Sequence, residues 1–242
     1  VQDAITHTYD SGTPSGAGTY TIKVSNGDSY TAGASGSLVT YPAMNKFQFG
    51  NANDKLKILD IQNWGIFAAN MSATFYGCAN LTCSASDTPT GCDFTTTQPT
   101  SFLNMFRGCT SFNGVMNQWG DYISNVTTFK AAFFSCSVFN KPLNSWDTSN
   151  ATSLQQMFQN ALIFDQDLGD WDIESVTNFT NFMNGNTELS TANYNAILIG
   201  WQAQTVSGSE AVHFGNATSS GAGTTAKNVL IDTDGWTFTD GD

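Results

Sequence analysis

Charge is what this 242-residue chain has least of. Asp, Glu, Lys and Arg together make only 12% of it, although apolar residues are an ordinary 40%. A disordered chain combines low hydrophobicity with dense charge, so this composition belongs to a folded protein with a real core. The eight basic residues face 20 acidic ones, a net charge of −12. Nucleic-acid and anionic-membrane surfaces work through clustered Lys and Arg, which excludes both as partners. The longest apolar runs, such as Ile197 to Ile199, fall far short of the ~20 residues that span a bilayer. The start, Val1-Gln2-Asp3, lacks a basic stretch followed by an apolar one, so either a leader has been removed or export uses another route.

Groups for chemistry are equally scarce. There are two histidines, His7 and His213, far apart in sequence, and no Gly-x-Ser-x-Gly elbow. Five cysteines (78, 83, 92, 109 and 136) leave at least one unpaired or bridging chains. Cys83 and Cys92 flank a polar loop; a disulfide there would close about ten residues and stabilise by roughly 2.5–3 kcal/mol in the chain-entropy view. Zinc ligation is not supported, because four suitably spaced N/S ligands are missing.

What replaces charge is Asn, Thr, Ser, Gly and aromatics, the last at 13%. The aromatics are in register. Phe102-Leu-Asn-Met-Phe106-Arg-Gly-Cys109-Thr-Ser-Phe112 is followed by Phe129-Lys-Ala-Ala-Phe133-Phe-Ser-Cys136-Ser-Val-Phe139, then by Leu154-Gln-Gln-Met-Phe158-Gln-Asn-Ala161-Leu-Ile-Phe164. Phe179 to Leu189 continues the series, and Phe75-Tyr-Gly-Cys78-Ala-Asn-Leu81 is a degenerate first copy. The steps from Phe106 are 27 and 25 residues, against 31 from Phe75 to Phe106. A tryptophan follows seven residues after the second Phe at Trp119, Trp146 and Trp171. A unit of this length cannot bury its own apolar face, so neighbours must stack and the matching columns become ladders. Cys78, Cys109 and Cys136 share a column with Ala161 and Asn186, which makes them small buried side chains rather than nucleophiles.

Val126, Phe129 and Phe133 are spaced as on a helix, and Phe139, Leu143 and Trp146 suggest an extended segment after it. The expected fold is therefore α/β: a leucine-rich-repeat-like solenoid of about five coils, each a short helix and a short parallel strand. Residues 1–45 would form a small β cap, 46–189 the solenoid and 190–242 an α/β cap. Within that last part helices are expected over 191–204 and 225–231, and strands over 211–215 and 236–239.

The pattern Met-Phe-x-x-Cys/Ala-x-x-Phe-Asn followed by Trp-Asp resembles the BspA-like surface-protein repeat, a divergent leucine-rich-repeat relative. Met105-Phe106-Arg-Gly-Cys109-Thr-Ser-Phe112-Asn113, Trp146-Asp147-Thr-Ser-Asn150 and Trp171-Asp172-Ile-Glu-Ser-Val176 carry it, and the resemblance spans about residues 46–242. It departs from the family at the 31-residue step and at Ala132, where Met is usual. It implies a secreted or surface-displayed protein, or a part of a phage particle, that recognises or adheres and does not catalyse.

Alternation over 139–146 puts Asn144 outward, with Asn117 and Asp167 at equivalent positions and Asp170 just beyond. These four are the candidate contacts to a surface glycan or a protein partner. The carboxylates Asp165, Asp167, Asp170 and Asp172, and the run Asp232-Thr-Asp234-Gly235, give calcium a weak case, since neither has the spacing of the twelve-residue loop. Asn125, Asn150 and Asn178 lie in Asn-x-Ser/Thr sequons but sit where a helix cap would. A structural alternative stands beside recognition: a fibre or virion component that contacts copies of itself.

Overall fold

A computed structural model describes residues 55–56, 58–62, 64, 71–86, 98–206, 208 and 210–242. The N-terminal cap expected over 1–45, His7 and Cys92 lie outside the described residues, and with Cys92 the expected bridge to Cys83.

The segments 71–78, 102–109, 129–136, 154–161 and 179–186 lie side by side, and their hydrogen bonds follow one rule. Alternate peptide groups bond along the chain: Met105 N–H to Phe102 O, Arg107 N–H to Asn104 O and Cys109 N–H to Phe106 O, at 2.9–3.2 Å. The peptide groups between them bond to the next segment: Phe102, Asn104, Phe106 and Gly108 donate to Thr128, Lys130, Ala132 and Phe134 at 2.7–2.9 Å. The same two sets recur from Phe129 to Ser135 and from Leu154 to Asn160. Most backbone polar groups of these segments are thereby used, as burial requires, and Leu103 and Lys130 N–H turn to the hydroxyls of Ser101 and Thr128.

This is not the helix expected over 126–133. The segments are chains of three-residue turns, and each holds two residues at positive φ four apart: Ala73 and Gly77, Asn104 and Gly108, Ala131 and Ser135, Gln156 and Asn160, Asn181 and Gly185. A left-handed residue every fourth position prevents helix propagation while returning alternate side chains to the same side. Asn125, Asn150 and Asn178 therefore cap no helix. Asn150 Nδ2 donates to Ser124 O at 2.9 Å, Asn125 Nδ2 to Gln98 Oε1 at 2.6 Å, and Asn178 Oδ1 accepts from Thr180 N–H at 3.0 Å.

The inward side chains stack. Phe75, Phe106, Phe133 and Phe158 form one pile, with ring centroids 5.3, 5.6 and 5.5 Å apart and planes within 13°. Phe112, Phe139 and Phe164 form a second at 5.9 and 5.8 Å, and each ring of one pile also faces a ring of the other at 4.0–4.3 Å. Trp146 stacks on Trp171 at 6.4 Å. Trp119 leaves this column: it is carried on a 3₁₀ helix, Asn117–Ile123, and Phe102 stands edge-on to both Trp119 and Trp146. The indoles of Trp146, Trp171 and Trp201 each donate to the carbonyl of the preceding segment, Met116, Leu143 and Leu168, at 2.8, 2.8 and 3.0 Å.

Between the Phe piles and the next segment runs a second ladder. Asn113 Oδ1 accepts from Asn140 N–H, Asn140 Oδ1 from Asp165 N–H and Asp165 Oδ1 from Ser190 N–H, at 2.9–3.0 Å. The strand expected after each second Phe does not form: the chain from Phe139 to Trp146 is irregular with one turn. Strands β1 (Asp60–Ile61) and β2 (Thr82–Cys83) pair in parallel, and single parallel bridges join Ser101, Thr128 and Ser153.

After Leu189 the pattern changes. Helix α1 (Thr191–Gln202) is capped by Ser190, β3 (Ala211–His213) pairs in parallel with β4 (Thr237–Thr239), and α2 (Gly221–Asp234) ends at Gly235 with φ 73°. All four elements lie where the composition puts them, to within four residues at each end. Helix α1 packs backbone to backbone on the preceding segment, since a Cβ on Gly200 would meet Gly169 O at 2.1 Å.

Two substitutions probe these two constraints. Ser135 has φ 57° at a position where three other segments carry Gly77, Gly108 and Gly185. Ser135→Gly is expected to raise stability by about 0.5–1 kcal/mol through relief of left-handed strain. Phe133→Ala, in the middle of the pile, is expected to cost about 3–5 kcal/mol. Chemical denaturation of both variants measures this; a destabilised Ser135→Gly contradicts the turn geometry.

Candidate functional site

Of the four residues expected to contact a ligand, three are exposed and Asn117 ties two segments together. Asn117 opens the 3₁₀ helix, and its Oδ1 accepts from Ser145 N–H at 3.1 Å and Ser145 Oγ–H at 2.9 Å. Its side-chain carbonyl thus joins two segments. Asn144 is exposed. Asp167 is exposed and turns back on its own loop, Oδ1 accepting from Gly169 N–H at 2.8 Å. Asp170 is exposed.

The neighbouring carboxylates are also used singly. Asp165 holds the start of α1 through Ser190 and Asn193 Nδ2, the latter at 2.7 Å, and Asp172 Oδ1 accepts from Glu174 N–H at 3.0 Å. Asp232 and Asp234 lie in the last turn of α2. No group of three His, Cys, Asp or Glu among the described residues is placed to hold a metal ion.

A different surface emerges on the turn segments. Their inward positions carry the Phe pile, and their outward ones are half-exposed or exposed: Tyr76, Arg107, Lys130, Phe134, Gln155, Gln159, Thr180 and Asn184 among them. None of the five segments contains a carboxylate, although the chain has 20. Arg107 stands between two rings, its guanidinium carbon 4.0 Å from the Phe134 centroid and 6.0 Å from that of Tyr76. Residues of one column, Tyr76, Arg107, Phe134, Gln159 and Asn184, come together because each segment's peptide ladder fixes its neighbour's register.

Residues 44–119 and 69–197 match the family described as "Mycoplasma protein of unknown function, DUF285", together more than half of the chain. The chain belongs to that family. The DUF285 family is part of the BspA-like surface-protein repeat group. No curated protein and no solved structure matches this chain.

In this DUF285 member the buried ionisable groups sit at two places. The thiols line the core: Cys109 Sγ and Cys136 Sγ donate to Phe75 O and Phe106 O at 3.0 Å, and Asn186, in the same column, donates from Nδ2 to Ala161 O at 3.0 Å instead. Burial pushes the Cys78 thiol up to about 11 and raises Cys109 and Cys136 as well, so all three are protonated at neutral pH. The second place is near the last strand. Tyr194 Oη donates to Asp240 Oδ2, and Lys227 Nζ lies 2.6 Å from Asp240 Oδ2 and 2.8 Å from Asp242 Oδ2. Tyr194 is raised by burial and by Asp240. Burial opposes the Lys227 charge, but its two carboxylate partners outweigh that and raise it. Burial likewise raises Asp242, and Lys227 and Ser219 more than reverse it. His213 is lowered, mainly by burial, and its Nδ1 accepts from Gly215 N–H at 3.0 Å.

Among the raised groups Glu210, lifted by burial, loses its contribution first, from 4.5 upward; the three thiols, Tyr194 and Lys227 contribute stability that is complete below their unfolded values and lost as pH climbs further, the thiols from the ordinary 9.0 upward. The lowered His213 acts the other way, its contribution falling away as pH drops below 6.5, and Asp242 follows below 3.8. Guanidinium denaturation is expected to give a plateau between about pH 6.5 and 9 and a distinct loss at pH 10.5. Equal stability at pH 8 and 10.5 contradicts the buried thiol column.

Proposed function

We propose that this chain is a non-enzymatic extracellular recognition module, displayed on a bacterial surface or a phage particle, that binds a glycan or protein through a rigid polar face. We read the stacked segments as coils of a leucine-rich-repeat-like solenoid, closed at its far end by the α/β unit from residue 190 onward. The observation that carries the reading is the turn face itself. Five segments held in register by peptide hydrogen bonds present amides, hydroxyls and aromatic rings outward, with no carboxylate among them. Such a face costs little conformational entropy when a ligand docks, because its backbone is already fixed. Membership of the BspA-like group supports a surface location.

The residues for direct contact are Gln155, Thr180 and Asn184, beside Tyr76 and Arg107. The arc with Asn144, Asp167 and Asp170 is the second candidate surface. A glycan and surface-protein array read with the monomer is expected to show saturable binding. Gln155→Ala with Asn184→Ala is expected to weaken it at least tenfold, and Asn144→Ala with Asp167→Asn to leave it unchanged. The reverse outcome moves the site to the other arc, and absence of any ligand sinks the reading.

A building block that contacts its own copies is the alternative. One observation favours it: Val138, Leu162 and Ile163, from adjacent segments, are 39–42% exposed and form a small apolar patch. Native mass measurement separates the two, since Val138→Lys with Ile163→Lys would abolish assembly and spare ligand binding.

A further inference from the structure

We infer that Arg107, held between Tyr76 and Phe134, is the carboxylate-reading group of a subsite for an acidic sugar. This rests on the recognition reading above and names the ligand class of the same face.

Arg107 is the chain's only arginine, and 20 carboxylates are present to pair with eight cations. It nevertheless forms no ion pair among the described residues. Its polar contact is a long one, Nη1 to Asn104 Oδ1 at 3.5 Å. Its flat faces are occupied: Phe134 covers one at 4.0 Å and Tyr76 lies 6.0 Å away. Stacking fixes the plane of the guanidinium and leaves the edge, where the N–H donors are, without a carboxylate. That edge is a fork matched to the two oxygens of a carboxylate, and a fork already held in plane loses little freedom on binding one.

The surroundings select an anion and then a sugar. The other cations near this end of the face are the Lys55 ammonium, beside Gly77, and Lys130 on the next segment, with no acidic side chain in any of the five segments to compete. Within a chain of net charge −12, this is a local positive field. Tyr76 is 43% exposed and offers a ring face to the C–H side of a pyranose, while the amides of Gln155 and Asn184, two and three segments beyond Arg107, suit the hydroxyls of sugars further along an acidic glycan. An acidic peptide would satisfy the guanidinium but leave the ring and amides unused.

Having one arginine makes the test direct, because the protein gives a single arginine Nε–H signal in a ¹⁵N-correlated spectrum. D-Glucuronate is expected to shift that signal saturably and D-glucose to leave it in place. Acetate and an N-acetylglutamate amide should need at least tenfold more ligand for half-saturation. Arg107→Gln should abolish glucuronate binding read by calorimetry, and Arg107→Lys, which keeps the charge and loses the fork, should weaken it at least fivefold; thermal unfolding of both variants checks that they fold. No saturable shift overturns the inference, as does an equal response to acetate or to the glutamate amide. Array binding that survives Arg107→Gln removes this subsite and leaves the recognition reading standing.

Discussion

The structure depends on how its peptide groups are divided. In a regular parallel strand, successive peptide groups point to opposite neighbours and their dipoles cancel. Here one peptide group in two is consumed by a turn within its own segment, and the ones between all point the same way. From Phe102 to Gly108, and again from Phe129 to Ser135 and from Leu154 to Asn160, the N–H groups face the following segment and the carbonyls the preceding one. Dipoles of about 3.5 D each therefore add along the stack. The arrangement is directional: a segment can accept a successor only on its N–H side. Met183 N–H, at the far end, is met by His213 O at 2.8 Å, so β3 continues the ladder one step past the last segment.

That division also sets the spacing of the core. Because each ladder bond runs to the residue just before the equivalent one on the next segment, side chains of one column are brought to the same separation, and a ring there finds a ring. The two Phe piles, 5.3–5.9 Å between successive centroids, follow from the backbone rather than from ring attraction, which adds only about 0.5–1.5 kcal/mol per pair beyond area burial. Where the register slips, the pile breaks. Trp119, shifted by the 3₁₀ helix, loses its place over Trp146, and Phe102 fills the gap edge-on.

The pile was legible from the recurrence of Phe106, Phe133 and Phe158 alone. Helix and turn were not separable in the same way. Inward residues at 102, 105, 106, 109 and 112 have the spacing of an amphipathic helix, and a chain of three-residue turns returns side chains to one side at nearly that period. The discriminating signal was present in a different column: Gly77, Gly108, Asn160 and Gly185 are residue types that tolerate a left-handed backbone, four positions after Ala73, Asn104, Gln156 and Asn181. The extended reading of 139–146 failed for a related reason. Alternation there reflects Asn and Asp side chains bonded to the next segment's backbone, as Asn140 is to Asp165, which takes the place of strand pairing. Asn117, an outward position in that extended reading, is a tie to Ser145.

The turn face escaped the sequence because its residues share no column identity. Tyr76, Arg107, Phe134, Gln159 and Asn184 occupy one column and differ in charge, size and polarity. That variety is physically permitted. Fold-determining bonds in these segments are made by backbone, and the packing by residues that point inward, so an outward side chain can change without disturbing either. The reverse holds for Asn186, where a buried amide must bond Ala161 O and Phe164 O to replace a thiol. A scaffold built this way separates what specifies the fold from what a partner sees. It is the property expected of a recognition surface, and it puts the informative residues where periodicity is silent.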